Sequence, residues 1–338
     1  MLHSRAVTAE PTPLLIHAAP RHLDWLGPAL ARAGRRATSL AGPGLKPAHA
    51  RDLGAESVDD LAGALRSARA GAVLFIAPPP PPVVEWLESR GLSDLRERGV
   101  AIVSVEPFPA SAMSPLLRDL AAAGTLPVVE PLLRHTTLGA SLRDALSTFG
   151  PVQTALFAAR GASAFGGLGA RLHDALDLLG DILGEPETID CAVAGPRAAS
   201  GVRAAPADDL ARLSGALTAH LRFETEASAV LSLSDQAGRW FRGLSLAGES
   251  GLIRFDDHGF EWIDPSGRIV EQTPATAAGA DPAERLADQI IAALARPEPV
   301  PPPARVRTLA VAGAAILSAR TGQPEAPATI RRMANLSD

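Results

Sequence analysis

The sequence predicts an α/β domain built on a doubly wound parallel sheet, followed by an α+β domain built on an antiparallel sheet. Two observations carry this. Up to about Pro107, short apolar runs alternate with segments of helical period, the pattern of parallel strands joined by right-handed crossovers and covered on both faces. From Pro151 onward, ETIDCAVAG, GALTAHLRFET, SAVLSLSDQ, RGLSLAGES and GLIRFDD read as strands separated by turn residues, which suggests hairpin-linked antiparallel pairing. A chain of 338 residues has room for two such domains, and 46% apolar with 20% charged residues is the composition of a globular protein. The division is expected between residues 1–124 and 125–338, with the last long helix packing back on the first domain.

In order along the chain, PLLIHAA is a buried strand, and the segment after it to Ala33 an amphipathic helix. RRATSLAG is a second strand. SVDDLAGALRSAR is a helix with Ser57 as its N-cap, and AVLFIA a fully buried strand. The prolines from Pro78 to Pro82 cannot continue a sheet or enter a helix interior, so they form an extended connector to the helix VVEWLESRG. In an open α/β sheet this connector lies at the carboxyl ends of the strands, where ligands bind. GVAIVSVEP is the next strand. Beyond Pro151, GLGARLHDALDLLGDIL and PAERLADQIIAALAR are helices among the strands. TLAVAGAAILSARTG is the last long helix, with Gly322 as its C-terminal cap.

Composition also excludes. A net charge of −5 and the absence of a basic run with interleaved aromatics argue against nucleic acid as a partner. No apolar run is long enough to span a membrane, and the N-terminus lacks an export-signal pattern, so a cytoplasmic location is expected. The single cysteine, Cys191, leaves no intramolecular disulfide and no multi-thiolate zinc site. No cluster of His, Asp and Glu argues for a metal. Lys46 is the only lysine and tyrosine is absent, so two common proton-transfer side chains are nearly or wholly missing.

The turn after the first strand, His17-Ala18-Ala19-Pro20-Arg21-His22, begins as a dinucleotide-binding domain begins yet contains no glycine. Further along, His173 and Asp177 are four residues apart and share a helical face. Leu172, Leu176, Leu179 and Leu183 form the opposing core stripe. A histidine oriented by a carboxylate is a general base near neutral pH, and the same pair also makes a solvated salt-bridging face. Trp25, Trp86, Trp240 and Trp262 are read as core residues.

ARDLGAESVDDLAGALRSARAGAVLFIAPP, GVAIVSVEPFPAS, LHDALDLLGDILGEPETI and ILSARTGQPEAP, in that order and spacing, together resemble the Gfo/Idh/MocA family of oxidoreductases. The resemblance runs from about Leu14 to Pro327. It implies an N-terminal Rossmann-like domain and a C-terminal α+β domain with a large open-faced sheet, which in the family commonly mediates oligomer contacts. It also implies NAD or NADP as cofactor and a sugar, cyclitol or related polyol as substrate.

Carried over residue by residue, the cofactor would lie against His17, Ala18, Ala19, Pro20 and Arg21, Pro78 and Pro79, and Glu106 and Pro107. The family's glycine turn lets the backbone approach a pyrophosphate at a helix N-terminus, and here His17, Ala19 and His22 stand in those places. Glu106 in Val105-Glu106-Pro107 replaces the family lysine, reversing its charge. Matching the following Gly-Glu-Pro puts Asp174 at the family's histidine position, with Ala170 where an aspartate is frequent; matching the histidine itself selects His173 and Gly169. The catalytic candidates are therefore His173, Asp174, Asp177 and Glu106.

Two functional readings follow. One is an oxidoreductase-fold protein with hydride transfer lost or altered, acting as a binding, regulatory or subunit-partner protein. The other is an active NAD(P)-dependent oxidoreductase with a displaced catalytic set. Both expect a homo-oligomer formed through the open sheet.

Overall fold

The computed structural model describes residues 13–67, 71–117, 128–129, 132–195, 209–257, 259–273, 281–295 and 302–336. The expected division at residues 124/125 lies outside them.

The N-terminal strands are β1 (Leu14–His17), β2 (Ala37–Ala41), β3 (Glu56–Ser57), β4 (Ala72–Phe75), β5 (Ala101–Ser104) and β6 (Val128–Val129). They form one parallel sheet in the order β3-β2-β1-β4-β5-β6. The strand order reverses between β1 and β4, and that reversal opens the crevice where such sheets hold a ligand. Burial explains the sequence pattern: β1 is buried at every position, as expected for a strand covered on both faces.

The connecting helices are α1 (Pro20–Arg32), α2 (Pro47–Asp52), α3 (Leu61–Ser67), α4 (Pro81–Trp86) and α5 (Leu92–Glu97). Two local expectations change. Ser57 belongs to β3, and the cap of α3 is Asp60, whose Oδ1 accepts from the Gly63 amide at 2.9 Å. The proline run is extended only to Pro80, because Pro81 and Pro82 already lie in the first turn of α4, where an amide hydrogen has no helical acceptor.

The second domain is an eight-stranded sheet of β7 (Val152–Ala162), β8 (Thr188–Ala194), β9 (Ala216–Arg222), β10 (Ser228–Ser234), β11 (Gln236–Gly248), β12 (Gly251–Asp256), β13 (Gly259–Ile263) and β14 (Ile269–Thr273). Its order is β14-β13-β12-β11-β7-β10-β9-β8. The hairpin reading holds for most neighbours, but β7 and β10 run parallel. The reason is the placement of β7 between β10 and β11, two strands separated in sequence by Asp235 alone. To cross the end of β7, β11 makes an irregular step between Gln236, opposite Ala162, and Phe241, opposite Arg160. Such a bulge re-aims the side chains within it, and it contains Trp240.

One face of this sheet is the core. Phe157, Leu231, Leu244 and Ile253 pack with Leu172, Leu176 and Leu179 of α7 (Leu168–Leu183) and with Leu309 to Ile316 of α9 (Pro302–Thr321). α6 (Thr137–Phe149) and α10 (Pro327–Ala334) close the same core. The other face is open: Leu156 is 50% and Phe241 51% exposed.

The domains interlock through two helices. α8 (Pro282–Ala295) lays Leu286, Ile290 and Ala293 on the N-terminal core of Leu14, Ile16 and Leu30. The last long helix, α9, keeps its apolar residues in the second core instead and reaches the first domain through Arg305, which donates to the carbonyls of Phe108 at 2.5 Å and Val128 at 3.1 Å. Among the described residues no helix is long and apolar enough to cross a membrane.

Candidate functional site

The carboxyl ends of β1, β4 and β5 face the amino end of α7, and the candidate site lies along this junction. On the N-terminal side, the backbone from Ala18 to His22 is already committed to the protein itself. The Ala18 amide donates to the Ala41 carbonyl at 3.0 Å, the Ala19 amide to His22 Nδ1 at 3.0 Å, and the His22 amide to the Ala19 carbonyl at 2.9 Å. Pro20 has no amide hydrogen. A phosphate at this helix end would find four of these five positions unable to donate.

His22 takes the place that Glu or Gln holds in a capping box, three residues after the N-cap. A neutral imidazole has one acceptor nitrogen, and the Ala19 amide claims Nδ1. Nε2 therefore carries the proton, and Arg21 Nε at 3.2 Å is a charged neighbour rather than a donor to it. Burial first, then Arg21 and His17, push the His22 pKa down to about 4, so the ring stays neutral. The same device recurs at α2, where the Lys46 amide donates to His49 Nδ1 at 3.0 Å. Lys46 itself is exposed.

His17 closes the crevice between β1 and β4. Its Nε2 donates to the Pro78 carbonyl at 3.2 Å, bridging the point where strand order reverses. Burial lowers its pKa as well. On the far side, Gly42 presses against the turn: its φ is +148°, and a Cβ there would stand 1.8 Å from the Ala18 carbonyl oxygen. The turn is packed from both sides by its own chain, and these residues do not fit a dinucleotide pyrophosphate.

Glu106, at the end of β5, crosses to the second domain. Its Oε1 accepts from the Gly167 amide at the start of α7 at 2.7 Å. Burial raises its pKa to about 7, opposed by that hydrogen bond and by Arg171. The carboxylate thus caps a helix where the family resemblance implies a lysine. Pro107 lines the cleft behind it, with Val105.

The cleft wall on the second domain comes from α7 and the irregular step in β11. His173 and Asp174 both line it, so the two alternative alignments select neighbours in one site. Asp174 accepts from the Leu133 amide at 2.7 Å and from Arg242 Nη1 at 3.4 Å. Burial raises its pKa against the pull of Arg242. Asp177 does not join them at the cleft; it is buried one turn on, where Arg134 Nε stands 2.6 Å from its Oδ2. The solvated-face reading of His173 and Asp177 is corrected, since both are buried. Gly169 cannot have carried the partner carboxylate in this fold, because a Cβ there would lie 2.0 Å from the Leu210 carbonyl.

Sequence reasoning missed the cationic part of the cleft. Arg242 is held by Asp257 through Nε at 2.9 Å and Nη2 at 2.6 Å. Arg171 and Arg242 lie over the Trp240 ring at 5.3 and 5.7 Å from its centroid, within cation–π range. Trp240, expected in a core, lines the cleft together with Arg285 and Gln289 of α8. Its indole Nε1 donates to Asp257 at 2.6 Å. The His22 cap had a legible signal, a histidine two residues after an N1 proline, repeated as Ala19-Pro20-Arg21-His22 and Lys46-Pro47-Ala48-His49. The arginines had none, because their partners are distant in sequence.

The order of the two sheets defines the fold. A six-stranded parallel sheet feeding an eight-stranded open sheet is the architecture of the Gfo/Idh/MocA-type dehydrogenases, and this chain has that fold. Three similar solved structures illustrate it. A levoglucosan dehydrogenase in complex with NADH and L-sorbose superposes with a TM-score of 0.70 at 14% identity, covering 94% of this chain and 98% of its own. An oxidoreductase from Agrobacterium radiobacter, in complex with NAD+, L-tartaric acid and magnesium, gives 0.66 at 14%, covering 94% and 99%. A myo-inositol dehydrogenase from Corynebacterium glutamicum gives 0.63 at 14%, covering 94% and 98%. No protein-family model matches the chain, and no curated protein matches it in sequence. On this fold the chain carries the histidine-capped turn and Glu106 at the domain junction.

Proposed function

We propose that the protein has lost hydride transfer and acts as a binding, regulatory or subunit-partner protein, with the cleft between its domains as its ligand site. The observation that carries this is the β1–α1 turn, whose amides are spent on Ala41, His22 and Ala19. Hydride chemistry belongs to the nicotinamide, and the protein's part is to hold it and accept a proton. A turn with a single free amide, that of Arg21, and a glutamate in place of the lysine weaken both contributions together. The test is titration with NADH and NADPH, followed by tryptophan fluorescence and thermal unfolding. No saturation and no stabilisation up to about millimolar cofactor is the expected result, and saturable binding overturns the proposal.

A second reading has a specific observation in its favour: His173 and Asp174 face one cleft. On this reading the protein is an NAD(P)-dependent oxidoreductase for a sugar, cyclitol or related polyol, with Asp177 behind His173. Cofactor reduction in the presence of such polyols is its signature. Either reading is compatible with a second copy of the chain covering the open sheet face, whose Leu156, Val230 and Phe241 are exposed. Exposed apolar side chains on one sheet face are surface that a second copy can cover, and sedimentation at micromolar concentration distinguishes a homo-oligomer from a monomer.

A further inference from the structure

The charge of the cleft is unusual for a site meant for a neutral polyol. Arg171, Arg242 and Arg285 all line it. Arg242 is neutralised by Asp257 and Asp174. Arg171 is not matched in this way. It is 5% exposed, and its hydrogen bonds go only to carbonyls, those of Gly161 and Ala162 at 3.0 and 2.8 Å and that of Ser234. A guanidinium has five N–H donors; three are used, and Nε is among those with no acceptor among the described residues. Its nearest acids act at a distance: Asp235 and Glu106 influence it without an ion pair. Burial holds Glu106 half-protonated near neutrality.

A buried cation that lacks a carboxylate is costly, and proteins supply such a group with a partner. A second donor stands on the opposite wall. Gln289 of α8 is 9% exposed and lines the cleft, yet its Nε2 has no hydrogen-bond partner among the described residues. A buried amide left without an acceptor is destabilising. The two walls, one from each half of the junction, therefore both present donors and lack an acceptor between them.

We infer that the cleft takes a small hydroxy acid, whose carboxylate lies between Arg171 and Gln289. This rests on the reading of the cleft as a ligand site. Asp174 is held away from this pair, because its Oδ1 accepts from the Leu133 amide and its Oδ2 from Arg242. Size sets the ligand class further: the cavity is about 60 Å³, and a water occupies roughly 10–15 Å³ by that measure, so a carboxylate with a short hydroxylated chain fills it.

The probes are D-glycerate, glycerol and sulfate at matched ionic strength, titrated calorimetrically into the full-length protein with and without NADH. Glycerate binds at least tenfold more tightly than glycerol or sulfate. Gln289→Leu weakens glycerate at least tenfold while the ligand-free protein unfolds at the same temperature or higher, which a merely structural glutamine does not allow. Glycerol or sulfate binding as tightly as glycerate overturns the carboxylate assignment and leaves the ligand-site reading standing. Glycerate binding only with NADH present does the reverse, keeping the carboxylate and removing the cofactor-free reading. No glycerate binding in either condition at about 10 mM, or no effect of Gln289→Leu, overturns the inference.

Discussion

Replacing Glu106 by glutamine should stabilise the protein at alkaline pH and leave it unchanged in acid. Glutamine keeps an oxygen to accept the Gly167 amide hydrogen, now 2.7 Å from Glu106 Oε1, and removes the ionisation. Burial raises the folded pKa from 4.5 to about 7. Below pH 4.5 the side chain is protonated folded or unfolded, and no penalty exists. Between the two values the unfolded chain loses its proton first, so stability falls as pH rises, and above 7 the loss is complete. At about 1.4 kcal/mol per unit, the interval is worth up to about 3 kcal/mol. His22 acts in the opposite direction over a similar range, but it is common to both proteins and cancels in their difference. The assay is urea unfolding of wild type and Glu106→Gln at pH 4.5, 6 and 8. A stability difference that is constant across this range, or a variant less stable at pH 8, refutes the reasoning.

Four other outcomes follow from the same structure. The His22 pKa is lowered from 6.5 to about 4, so its contribution is full above pH 6.5 and is lost as pH falls toward 4. His22→Ala costs about 1 kcal/mol at pH 7.5 and removes that part of the acid slope, which urea titrations at several pH values measure. Arg134→Met strips Asp177 of the guanidinium at 2.6 Å and costs on the order of 3 kcal/mol, and adding Asp177→Asn recovers part of the loss. Gly42→Ala drives a methyl into the Ala18 carbonyl and lowers stability by about 3 kcal/mol or more, read by thermal unfolding. Leu156→Arg on the open sheet face shifts the sedimentation of an oligomer toward monomer without changing far-ultraviolet circular dichroism.

Much of the fold was legible because its signals are local. β1 and β4 read as uninterrupted apolar runs since both of their faces are covered, and the α1 stripe of His22, Leu26, Ala29 and Leu30 follows helical period. The parallel pairing of β7 with β10 was not legible. Alternation of Ser228 to Ser234 specifies a strand with one buried face, and it is the same whichever neighbour the strand takes. The candidate site was legible in part: His173 and Asp174 both line the cleft. Trp240 was placed in a core because composition cannot tell a packed ring from one that a bulge has turned into a cleft.

By itself the sequence determined what depends on neighbours along the chain: the alternation of strand and helix, the glycine-free turn after β1, the near-absence of lysine, and the glutamate after β5. Tertiary structure alone decided what depends on elements far apart. Glu106 meets the Gly167 amide across 61 positions and Arg242 meets Asp174 across 68. Gln289 comes to the same cleft on a helix that the fold lends to the first domain. The physical reason is that periodicity records which face of an element is buried, whereas charge pairing and hydrogen bonding depend on the three-dimensional position of each donor and acceptor.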